Sequence, residues 1–153
     1  MIALIQRVSS AKVEISGRAV AAIDRGLLAL IGVQRGDGRA EVLRLAERLL
    51  QYRVFPDADG RMNLDLRAVA GGLLLVPQFT LAADTHKGNR PGFSRAAPPA
   101  QGRRWFNALL SECRARHAPV EAGEFGAGMQ VSLTNDGPVT FWLEVTPGAG
   151  LSS

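Results

Sequence analysis

With 153 residues, 46% of them hydrophobic, the chain can build one real core but is short for two domains. A single cysteine, Cys113, excludes a disulfide framework and a thiolate-rich zinc site within the chain. The net charge of +4 is concentrated: between positions 84 and 104, Lys87, Arg90, Arg95, Arg103 and Arg104 stand against Asp84 alone, and the remainder is balanced. Such a stretch suits a phosphate-bearing partner as well as it suits a solvated loop.

In chain order, Met1 to Arg7 reads as a strand and lacks the basic-then-apolar order of a signal peptide. Ala11 to Ile15 alternates, Arg18 to Ile23 is its partner, and Ser16-Gly17 makes the turn between them. Gly26 to Val33 is continuously apolar, which predicts a strand buried on both faces. A helix follows, with Val42, Leu45, Ala46 and Leu49 inward, Glu41, Arg44, Glu47, Arg48 and Gln51 outward, and Asp37 as its cap. Phe55 to Gly60 carries turn chemistry, and Gly72 to Val76 is a second buried strand. A second helix starts near Pro98-Pro99 and places Trp105, Phe106, Leu109, Leu110 and Cys113 on one side, making Cys113 a core residue. Near the end, Met129, Val131 and Leu133 alternate, as do Phe141, Leu143 and Val145, flanking the turn sequence Asn135-Asp-Gly-Pro138. Residues 1–147 are expected to form one domain and 148–153 a flexible tail. Strands and helices mix without a regular βαβ rhythm, so the expected fold is a layered α/β domain with much antiparallel pairing. No apolar run approaches the length of a membrane span, and the expected location is the cytoplasm.

Phosphate-binding loops, dinucleotide fingerprints, zincin helices and nucleophile elbows are all missing from the sequence. His86 and His117 are the only histidines and lack ligand spacing, so neither a metal site nor a Ser-His-Asp triad is expected. His117 closes a helix and should bind carbonyls, whereas His86 lies in the basic stretch. Two segments stand out. Gln78 and Thr80 end a buried strand on one face by its period of two, and they read either as a ligand-facing edge or as ordinary strand and surface residues. Asn135 to Thr140 reads either as a plain hairpin turn or as backbone that meets a ligand closely, since Gly137 has no side chain to intervene.

Several stretches together resemble one family: Met1-Ile-Ala-Leu-Ile-Gln-Arg-Val, Gly26 to Val33, Asp59-Gly-Arg-Met-Asn63, Gln78-Phe-Thr-Leu81, Ala83 to Pro91, Phe93, and Asn135 to Thr140. In colinear order up to about Val145, they are similar to D-aminoacyl-tRNA deacylase, also called D-tyrosyl-tRNA deacylase. The resemblance implies a single compact three-layer domain, two β layers and one helical layer, with mainly antiparallel or mixed sheet. It implies hydrolysis of D-aminoacyl-tRNA, and of mischarged glycyl-tRNA, by a homodimer without metal or cofactor. Gln78, Phe79 and Thr80 would line the pocket for the 3′-terminal adenosine and its aminoacyl group. Gly137 and Pro138, joined by a cis bond, would reach into the partner subunit's pocket and crowd the place of an L side chain. The hydrolysis expected is assisted by the 2′-hydroxyl of the terminal ribose. Charge suggests Lys87 and Arg90 as tRNA contacts, and within the resemblance Phe93 would help wall the adenosine pocket. The chain departs from the family at Pro77, where serine is usual: proline removes a hydroxyl and a backbone donor, which either alters the site or falls where no donor is needed. The rival readings are a non-catalytic nucleic-acid-binding module and an esterase with Thr80 as nucleophile.

Overall fold

Across residues 1–148, the part of the chain that the computed structural model describes, the alternating and apolar segments become eight strands and two helices. Strand β1 (Ile2–Ile15) turns at Ser16 and Gly17 into β2 (Arg18–Ile23). Both turn residues have positive φ, 51° and 78°, as a two-residue hairpin of matching twist requires. Strand β3 (Gly26–Gly32) lies antiparallel to the first half of β1, and helix α1 (Arg39–Gln51) follows. A small hairpin of β4 (Phe55–Pro56) and β5 (Met62–Leu64) leads to β6 (Gly72–Pro77), parallel to β3. A 3-10 turn (Phe79–Ala82), helix α2 (Pro99–Arg116), β7 (Val120–Ala122) and β8 (Gln130–Glu144) complete the chain. The sheet runs β8-β1-β3-β6-β7, with β2 beside the distal half of β1.

The layers follow from strand alternation. On β3 and β6, Leu27, Ala29, Ile31, Leu73 and Leu75 pack against the helices with Leu45, Leu49, Phe106, Leu109 and Cys113. Leu28, Leu74 and Val76 face the other way, against Val8, Ala11, Val13 and Ile23. Strand β1 supplies both cores: Ala3 and Ile5, with Met1 just before them, the first, Val8 onward the second. Its distal half, with β2 and part of β8, forms the outer β layer, so the expected three layers are present. Close packing of the central strands needs glycine: a Cβ on Gly26 would overlap the Gly72 carbonyl. Truncating a fully buried ring such as Phe106 would cost about 3–5 kcal/mol.

Four expectations are corrected. The segments around Asn135–Pro138 are not the arms of a hairpin. Strand β8 pairs with β1 in one direction throughout, from Ile2 opposite Glu144 to Glu14 opposite Gln130. The turn residues instead form an excursion between Asn135, opposite Val8, and Thr140, opposite Gln6. The 14-residue β1 is long enough to template both segments, which a local turn rule does not anticipate.

Asp37 does not cap α1; Gly38 does. The Asp37 carboxylate is buried, pairing with the Met1 ammonium at 2.8 Å and accepting Gln34 N–H at 2.7 Å. Burial pushes its carboxyl above the usual value despite these donors. Glu41, expected outside, is 4% exposed and accepts the N–H groups of Gly38 and Gly148 at 2.8 and 2.7 Å. Burial acts to raise its carboxyl, but hydrogen bonds led by Gly148 outweigh it and hold Glu41 below the ordinary value. Gly148, where the tail is expected to begin, is the donor of that second bond; the rest of the tail, 149–153, lies outside the described residues.

Finally, β6 ends at Pro77, so Gln78 and Thr80 do not share a strand face.

Candidate active site

The site grows from the end of β6. Odd residues of this strand direct their backbone groups toward β7: Leu73 N–H donates to Pro119 at 3.0 Å, and Leu75 C=O accepts Gly123 N–H at 2.9 Å. Even residues face β3, as Gln78 N–H donates to Ile31 at 2.7 Å. Pro77 belongs to the odd set, and β7 ends at Ala122. The missing N–H thus ends the β6–β7 ladder without breaking it, and proline is at no disadvantage as a strand residue there.

Beyond Pro77 the chain winds into the 3-10 turn, closed by Leu81 N–H on Gln78 C=O at 3.2 Å and Ala83 N–H on Thr80 C=O at 3.1 Å. The turn brings together the pair that strand alternation was expected to align: Gln78 Nε2 donates to Thr80 Oγ1 at 2.5 Å. Whichever way round the amide lies, a neutral amide cannot take the hydroxyl proton. Among the described residues, no histidine or carboxylate hydrogen-bonds Thr80. Phe79 projects outward, 56% exposed, with Phe93 beside it at 5.2 Å between ring centroids. Clefts lie on both sides of it. One, of about 230 Å³, is walled by Pro77, Pro99, Phe106 and Phe125. The other, of about 270 Å³, lies among Gln78, Phe125, Met129 and Val131. The sequence reading missed Phe125; its signal was an aromatic set among Gly123, Gly126 and Gly128.

Lys87 and Arg90 are exposed on the loop that leads to Phe93. Asp84 and Gly92 pinch its base by exchanging backbone hydrogen bonds of 2.7 and 3.0 Å. The Asp84 carboxylate accepts His86 N–H at 3.0 Å and meets the His86 ring at 3.1 Å; these bonds hold Asp84 below the usual range. Among the described residues, neither Lys87 nor Arg90 forms an ion pair. His117 binds the Gly71 carbonyl at 2.6 Å, a structural role, and burial pushes the Cys113 thiol up to about 12, away from any nucleophilic use.

Gly137 and Pro138 stand elsewhere, exposed on the β8 excursion and joined by a cis bond. Asn135 Nδ2 donates to the carbonyls of Arg7 and Val139 at 2.9 and 3.1 Å. Arg7 in turn donates to the carbonyls of Asp136 and Val54 and pairs with the Asp136 carboxylate at 3.0 Å. These two pins were not singled out from sequence, because their partners are backbone carbonyls. Strands β1 and β3 separate the excursion from Pro77, which puts it ~14 Å across and ~13 Å along the sheet.

The model of the family described as D-Tyr-tRNA(Tyr) deacylase matches residues 4–144, nearly the whole chain. This chain belongs to that family. A D-aminoacyl-tRNA deacylase of Methylococcus capsulatus is 60% identical over 147 residues, covering 96% of each chain. One of Thioalkalivibrio sulfidiphilus is 62% identical, covering 96% of this chain and 99% of its own. Among solved structures, one described as c-Myc DNA unwinding element binding protein is similar at a TM-score of 0.91 and 37% identity, covering 95% of this chain and 99% of that one. Another, described as a probable eukaryotic D-amino acid tRNA deacylase, shares the fold at a TM-score of 0.78 and 16% identity, covering 94% and 98%.

Proposed function

We propose that the protein hydrolyses the ester of D-aminoacyl-tRNA in the cytoplasm, releasing the D-amino acid and tRNA, with residues 1–147 acting as one catalytic domain. The Gln78–Thr80 turn holds the 3′-terminal adenosine and the ester, with Phe93 walling that pocket. Lys87 and Arg90 meet tRNA phosphates without reading bases. The Gly137–Pro138 excursion cannot bend across two strands to its own Gln78 site; it acts on the site of a second copy, and the active unit is a homodimer. Among the described residues strand β8 pairs only with β1, and it exposes Leu133 and Trp142, a surface that a second copy can cover.

The filter is steric. D and L substrates carry the same side chain, so only a rigid obstacle can separate them. A backbone segment pinned by Arg7 and Asn135 is such an obstacle, and glycine, with nothing to clash, passes. A thousandfold rejection needs about 4 kcal/mol, within reach of one hard clash.

The observation that carries the mechanism is the Thr80 hydroxyl, bound by an amide and, among the described residues, hydrogen-bonded to no histidine or carboxylate. Thr80 orients the turn, and the substrate activates its own attack. The 2′-hydroxyl beside the ester assists water onto the carbonyl carbon, the proton passes to the departing 3′-oxygen, and the N–H groups of Phe79 and Thr80 receive the developing oxyanion. A substrate ending in 2′-deoxyadenosine should react at least about 100-fold more slowly, while Thr80→Ala keeps measurable activity. A Thr80→Ala variant devoid of activity, with the deoxy substrate cleaved normally, would return Thr80 to the role of nucleophile. The basic loop also favours a binding-only reading, which predicts salt-dependent RNA binding with the ester intact.

A further inference from the structure

One cation of the basic stretch is seated differently from the rest. Arg103, exposed on the second turn of α2, lays its guanidinium over the Phe125 ring at 5.2 Å from the centroid. Phe125 and Gly126 line both clefts beside Phe79, so the cation, which lines neither cleft itself, rests on a ring that both clefts share. Gly126, at φ +82°, lies directly beside it: a Cβ there would be in van der Waals contact with Arg103 Nη2, at 3.5 Å. Arg104 also covers a ring, that of Trp105 at 4.6 Å, but Trp105 lines neither cleft. Among the described residues, no carboxylate pairs with Arg103.

A guanidinium stacked on a ring uses its face and keeps its five edge N–H donors. Holding it in place beforehand also reduces what binding must order. The cleft walled by Pro77, Pro99, Phe106 and Phe125 is apolar and takes a flat group, while the guanidinium beside it takes an anion. A nucleotide presents both, a base and a phosphodiester, within one residue. We propose that Arg103 binds the phosphodiester next to the 3′-terminal nucleotide of the tRNA, with Phe125 as its platform. This rests on the deacylase reading of the clefts and adds a residue that fixes where the tRNA end enters.

The test is binding of uncharged tRNA, followed by fluorescence anisotropy over a range of salt, for wild type, Arg103→Gln and Arg18→Gln. The last removes an equal charge beside the β1–β2 turn. Each is measured with intact tRNA and with tRNA trimmed of its 3′-terminal CCA. For Arg103→Gln with intact tRNA, Kd should rise about tenfold. The slope of log Kd against log salt should fall by about 0.7, as for one phosphate contact on a single strand. Arg18→Gln should change neither, and trimming should abolish the Arg103 penalty. Equal affinity of wild type and Arg103→Gln for intact tRNA, or a penalty that survives trimming, overturns the assignment. Cleavage of D-tyrosyl-tRNA by the wild type is scored separately, so a failure of the enzyme reading is told apart from a failure of this contact.

Discussion

Pro77 and Glu41 show how far a single residue's chemistry depends on which neighbour its backbone or side chain faces. Pro77 stands where β6 has no further β7 partner, so its lack of an N–H leaves the ladder intact. Pro77→Ser should lower stability by less than about 1 kcal/mol, chiefly by loosening the unfolded chain, as a urea midpoint would register. A loss of several kcal/mol would mean that the ring itself holds the site together. Glu41 lies below its ordinary value of 4.5, so it favours the folded state fully above that pH. Its contribution is lost as pH falls through the lower, folded-state value. Glu41→Gln should therefore be less stable by about 1 kcal/mol at neutral pH and show a flatter loss below 4.5 in pH-dependent unfolding. Identical acid limbs for the two proteins would contradict that role. The sequence placed Glu41 outside by helical period alone, because a period does not register the returning C-terminal backbone that meets it.

At the scale of elements, legibility tracked the range of the forces involved. Strands β3 and β6 were readable because burial on both faces leaves an unbroken apolar run, and α1 and α2 because their inward residues recur every 3.6 positions. The Gln78 and Thr80 pairing was anticipated, but by the wrong geometry, since the strand period stops at Pro77. Strand β8 was misread because Asn-Asp-Gly-Pro is a strong local reversal signal, and only the length of β1 decides that the chain continues instead. Its excursion depends on Asn135, whose amide holds Arg7 and Val139. Asn135→Ala should cost about 1–3 kcal/mol by leaving those carbonyls without their donor. It should also release the excursion, raising cleavage of L-tyrosyl-tRNA relative to the D ester. An unchanged L-to-D ratio in a folded variant would show that the pins do not set the filter.

For the whole molecule, the sheet places the polar turn at the end of β6 and the excursion on β8, with β1 and β3 between them. Under the proposed cross-subunit filter this separation ties chiral selection to assembly, and selectivity should belong to a dimer. The measurement to make first is parallel deacylation of D-tyrosyl-tRNA and L-tyrosyl-tRNA by the purified protein, with its mass in solution recorded under the same conditions. Rapid loss of the D ester, sparing of the L ester and a dimeric mass are the expected result. A fully active, fully selective monomer would contradict the cross-subunit filter, and two intact esters at high protein concentration would contradict the hydrolytic function itself.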